Sequence, residues 1–134
     1  MNDASFCSAL LQQPGITALI GNRASLSQIK QGAALPALVY QVVSSTDRPY
    51  LAAWNESTPV VLRLQINPLA TSVDGVEAIA AAVRTALEWM HGTTADGVRV
   101  ISIVAAGRGP YDKDNESGTW TRSFDYLITA EAQT

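Results

Sequence analysis

Between Val60 and His91 the spacing of apolar residues changes once, and that change limits what the chain can fold into. In the first part Leu62, Leu64 and Ile66 alternate with Arg63, Gln65 and Asn67. That is the pattern of a strand with one face in a core and the other wet, or covered only in an assembly. In the second part Val76, Ile79, Ala80, Val83, Leu87 and Met90 fall on a single stripe, which predicts a core helix over about 74–91. Asp74 with Glu77 has the spacing of a capping arrangement, and Gly92 stands where a left-handed terminating residue belongs. The alanines at 78, 81, 82 and 86 flank the stripe with small side chains. They permit close approach to a sheet or to another subunit's helix.

The remaining elements arrange themselves around this pair. A short helix is expected over about 3–13, capped by Asn2 or Asp3 and ended by Pro14-Gly15. A short apolar segment from Ile16 to Ile20 follows, closed by Gly21-Asn22, and a polar connection leads to Ala34. Leu35-Pro36 opens a strand over about 37–44, fairly apolar on both faces. Residues 45–58 read as a long loop carrying Tyr50, Leu51 and Trp54, and loops of that length are uncommon unless used. Two more strands are expected over about 97–106 and 119–130. The polar stretch between them is longer than a tight turn requires and reads as a long loop or a projecting hairpin tip. Nothing repeats and no shift of composition divides the chain. The expectation is one α+β domain over residues 1–134: an about four-stranded, mostly antiparallel sheet with one long and one short helix on one face, in the order α-β-β-α-β-β.

Composition narrows the function classes. A chain of 134 residues buries roughly 65% of its unfolded surface, so neither disulfides nor a metal is needed for a core. Charged residues make up only 16%, which leaves much of the surface neutral and suited to burial against other subunits. Nine basic and twelve acidic residues give a net charge of −3, and the basic ones are spread along the chain. A nucleic-acid footprint needs them gathered on one face. One cysteine, an amino-terminal segment without the basic and apolar regions of a signal peptide, and no run near 18 apolar residues point to a cytosolic protein with no membrane partner.

Each residue type that could carry chemistry has a plainer reading. His91 stands at the end of the core helix, where its charge suits the dipole, with no motif to orient it as an acid or base. Cys7 reads as a half-buried structural thiol. Asp112-Lys113-Asp114-Asn115-Glu116 alternates oxygen ligands as a calcium loop does, but the sixth position is Ser117 and the twelfth Ser123, where such a loop needs Gly and Glu. Gly107-Arg108-Gly109 lacks the third glycine and the following helix of a phosphate-binding turn. The sequence therefore predicts no enzyme: no catalytic residue, no metal and no cofactor.

The order of segments resembles the phage tail-completion and tail-terminator family. The likeness runs from about Leu10 to Ile128. It rests on Ile16-Thr-Ala-Leu-Ile-Gly-Asn-Arg23, Leu35-Pro36-Ala-Leu-Val-Tyr40, the alternating strand Leu62 to Ile66, the helix Ile79-Ala-Ala-Ala-Val-Arg-Thr-Ala-Leu87 and Ser123-Phe-Asp-Tyr126, in that order and spacing. The resemblance implies a homo-oligomeric ring, commonly a hexamer, that docks on the tail-tube protein, stops its polymerisation and meets a neck or head-completion protein. It also implies assembly in the bacterial cytoplasm and residence in the virion tail or neck, with DNA only passing through the lumen. A slightly acidic ring would let DNA pass without trapping it. The loops 44–58 and 107–119 match no family pattern. Loops on a rigid scaffold are where partners bind, so Tyr50 and Trp54 on one and Arg108, Tyr111, Asp112 and Lys113 on the other are the candidate interface residues. A small ligand-binding or regulatory domain, or another neck protein, is the competing reading, and a deep apolar pocket with converging polar groups would mark the ligand-binding case.

Overall fold

A computed structural model describes residues 2–28, 34–48 and 59–132. Two helices open the chain, α1 (Asp3–Leu10) and α2 (Pro14–Ile20). Strands β1 (Ala24–Leu26), β2 (Ala37–Asp47) and β3 (Pro59–Ala70) follow, then α3 (Val73–Leu87), β4 (Thr94–Ala95), β5 (Val98–Asp114) and β6 (Thr119–Ala132). The six strands form one sheet in the order β1-β2-β3-β6-β5-β4, antiparallel throughout except for the β1–β2 pair.

The α+β class and the mostly antiparallel sheet match the sequence reading; the element count does not. The sheet has six strands where four were expected, because β1 and β4 are three and two residues long and too short to carry an alternation. Three helices replace two. Pro14-Gly15 ends α1 but also begins α2, with Pro14 at a first-turn position where its missing N–H costs nothing. The order is therefore α-α-β-β-β-α-β-β-β.

Boundaries move for local reasons. Asn2 caps α1 by accepting the Ser5 N–H at 2.9 Å. The cap of α3 is Ser72, which accepts the Gly75 N–H at 3.0 Å, in place of the expected Asp74 arrangement. The same helix stops at Leu87, four residues before His91. Glu88 turns extended and Trp89 takes a left-handed φ of 67°, so that its N–H reaches the Ile103 carbonyl at 2.9 Å. His91 is thus exposed beyond the helix, not on its last turn.

One face of the sheet makes the core. Leu38, Leu62, Leu64, Ile66, Val100, Ile103 and Ile128 pack with Phe6, Leu10, Ile16, Val76, Ile79, Val83 and Leu87 from the helices in a single buried cluster. Helix α3 lies against β3, β5 and β6, and α1 touches β2 and β4. Burying a Leu or Ile side chain contributes about 1.5–3 kcal/mol, so this face dominates stability. Gly75 lets α3 come this close: a Cβ there would stand 2.7 Å from the Ala70 Cβ at the end of β3. Cys7 is fully buried in the cluster, deeper than its half-buried expectation, and burial, with the Asp3 charge second, pushes its thiol up to about 12. Among the described residues no helix is long and apolar enough to cross a membrane.

Candidate interaction surface

The stretch expected as a long loop or a hairpin tip is a hairpin. β5 and β6 stay paired out to Asp114 and Thr119, and Asn115 to Gly118 form the turn. Asp114 closes it: its carboxylate accepts the Glu116 N–H at 3.0 Å and its carbonyl accepts the Gly118 N–H at 2.7 Å, with Gly118 at a φ of 71°. Its carbonyl oxygen and one carboxylate oxygen are thereby engaged in the turn. Among the described residues no group of three or more His, Cys, Asp or Glu side chains stands ready for a metal. Gly107 and Gly109 lie inside β5, where register shifts between Ala105 and Gly107 and between Arg108 and Tyr111 bend the strand.

Arg122 ties this hairpin to α3. Its Nε donates to the Gly109 carbonyl at 2.6 Å, and its Nη1 donates to Glu77 at 3.1 Å and to the Tyr111 hydroxyl at 3.1 Å. The Tyr111 hydroxyl donates to the same Glu77 carboxylate. The guanidinium also lies over the Tyr111 ring, 4.5 Å from its centre, and 5.6 Å from that of Phe124. The Tyr111 hydrogen bond, followed by the bond and charge of Arg122 and the charge of Arg108, holds Glu77 below the usual carboxylate value, and Glu77 in turn raises Tyr111.

The six candidate interface residues therefore divide. Tyr111 is spent on the Glu77 cluster and Lys113 stacks over Trp120 at 5.4 Å. Arg108 and Asp112 remain exposed, with no ion pair among the described residues. Tyr50 and Trp54 lie outside the described residues. The flanks of their segment are fixed, because Asp47 pairs with Val60 and the Arg48 N–H reaches the Pro59 carbonyl at 2.7 Å. Val60 pairs onward with Ala130, and Ala130 with Val100. The 49–58 connection thus leaves one end of the sheet and the 115–118 turn occupies the other.

Between α3 and the hairpin lies an open cleft of about 380 Å³ with Ala80, Ala81, Phe124 and Tyr126 in its lining and Arg84 and Arg108 beside them. Arg84 is paired with Glu88. Tyr126 is raised, chiefly by burial. The lowering of Glu77 and the raising of Tyr111 come chiefly from the hydrogen bond between them, and the raising of Cys7 chiefly from burial. The sheet face opposite the helices is half exposed and internally balanced. Arg63 pairs with Asp125 at 2.7 Å and donates to the Ala106 carbonyl at 3.3 Å, while Gln41 donates to Gln65 at 2.8 Å. Sequence reasoning missed Arg122 and gave Glu77 a capping role in place of its bonds to Tyr111 and Arg122. Trp89, expected in the core or at a protein interface, is 71% exposed.

The family model for the tail completion protein gp17 matches residues 5–130. The chain belongs to the phage tail completion protein family. A chain from the virion of a native gene transfer agent particle has the same fold, with a TM-score of 0.68 at 14% identity, over 96% of this chain and 93% of that one. No curated relative matches. Its family places it among the structural proteins of the phage tail.

Proposed function

We propose that this tail completion protein assembles as a homomeric ring, commonly a hexamer, that seats on the end of the tail tube, stops tube growth and joins the tail to a neck protein. The observation that supports this reading is the placement of the connecting segments. Asp47 and Pro59, which flank residues 49–58, lie near one end of the sheet and the 115–118 turn lies at the other, so chains standing side by side in a ring would present two different rims. A cap between two partners needs two such rims. The hairpin end carries Asp112, Lys113, Asp114 and Glu116 on a rigid, clamped support, as a surface that binds without rearranging should. The chain would be made in the host cytoplasm and end in the virion, and its net charge of −3 would let DNA slide through the lumen.

Adding the purified chain to a polymerising tail-tube protein tests the reading. Tubes should stop lengthening at substoichiometric amounts of the chain. Unchanged growth, with binding to a head-proximal neck protein instead, would place the chain one position higher.

A further inference from the structure

We infer that the ring contact is made head to tail between the two different edges of the sheet, the β1–β2 edge of one copy seating against the β5–α3 edge of the next. This rests on the ring reading proposed above and names the surfaces that make it. The exposed apolar side chains at the edges fall into two groups. Leu26 and Val43, 45% and 51% exposed, lie on β1 and β2 at one edge. Trp89 and Ile101, 71% and 37% exposed, lie at the other, Trp89 being held there by its hydrogen bond to Ile103 on β5. A tryptophan held in a left-handed backbone conformation and left uncovered by the described residues suits the role of an anchor for the next copy.

The strand edges are half open in a complementary way. On β1's side, β2 is paired from Leu38 to Tyr40, and its stretch from Gln41 to Asp47 has no outer neighbour among the described residues. On β5 the outer edge is covered from Val98 to Ile103 by β4 and by residues 89–93, and it is open beyond Val104. One pair of opposite charges suits this contact. Exposed Asp47 lies on the first edge and exposed Arg108 on the second, where exposed Asp112 also stands four residues further along β5, and none of the three forms an ion pair among the described residues.

Asp47 is level with Ala130 of β6 and Arg108 with Phe124, six residues apart and about 20 Å at 3.3 Å per residue. Bringing them together staggers neighbouring sheets by that length. A contact between unlike surfaces closes into a ring or runs on as a filament, while a two-fold contact stops at a dimer.

The test uses Asp47→Arg and Arg108→Asp in separate preparations of the full chain. Each alone should raise the concentration needed for assembly at least tenfold, because each places like charges at every contact. An equimolar mixture should restore assembly, since alternating copies then present only opposite charges. Trp89→Gly, which suits the left-handed backbone, should weaken assembly at least as much while leaving the circular dichroism spectrum unchanged. Variants that assemble as the unaltered chain does, or a mixture that stays apart, would overturn the edge contact and leave the ring standing. An unaltered chain that remains monomeric at every concentration would overturn both.

Discussion

The two halves of β5 run in one strand against one partner, yet they are held by different physics. From Val98 to Ile103 the strand buries Val98, Val100 and Ile103 beneath the helices, and its outer edge is covered by β4 and by residues 89–93. From Ala105 to Asp114 it contains Gly107, Gly109, Pro110 and four charged residues, none of them buried. The second half is a strand only because β6 pairs with it and Arg122 pins it to Glu77 through Tyr111. Burial makes the first half part of the fold's foundation. The second half is a polar structure laid over a helix, and its rigidity depends on a handful of hydrogen bonds and ring contacts.

Truncating Ile103 to alanine should give the largest effect. The side chain is fully buried, so a loss of about 2–5 kcal/mol is expected in a denaturant titration, with the slope of the transition unchanged. Arg122→Ala should cost less, about 1–2 kcal/mol, through the loss of charge-assisted bonds in a partly exposed site. Its signature is regional. Amide exchange should accelerate from Ala105 to Asp114 and stay slow from Val98 to Ile103, and equal acceleration in both halves would erase the distinction. Gly75→Ala tests the packing under the first turn of α3. Helix propensity favours alanine by up to about 1 kcal/mol, but the clash with Ala70 calls for about 1–3 kcal/mol of overpacking. A net loss near 1 kcal/mol is expected.

The smallest effect belongs to protons. Glu77 is held below its ordinary 4.5, so the stability it lends the hairpin is present above that value and is lost as pH falls through the lowered one. Tyr111 is raised above its ordinary 10.0, so its share is present below that value and is lost as pH climbs through the raised one. Exchange from Ala105 to Asp114 should therefore be pH-insensitive, after correction for intrinsic rates, between about 5 and 9, and should quicken in acid. In Tyr111→Phe the Glu77 titration should move back toward 4.5, with little change in global stability.

The same contrast explains what the sequence could tell. Leu62, Leu64 and Ile66, and the stripe from Val76 to Leu87, are read correctly because periodic burial writes itself into the residue order. β1 and β4 are too short to write anything, and β5 beyond Val104 is made by pairing with a partner strand, which local preference does not encode. Helix α3 ends at Leu87 because Ile103, sixteen residues away in sequence, offers a carbonyl to Trp89. Of the candidate interface residues, Arg108 and Asp112 are exposed as the polar stretch predicts, because exposed charge is a local property. The contacts of Tyr111 with Glu77 and of Lys113 with Trp120 are not legible there, since only the fold brings those partners near.

Electron cryomicroscopy of tail tubes stalled by this chain tests the central claim most directly. The account predicts one additional closed ring at a single end of each tube, with one rim on the tube and the other facing away. Tubes whose ends carry no added ring, or chains bound along the tube wall, would contradict it.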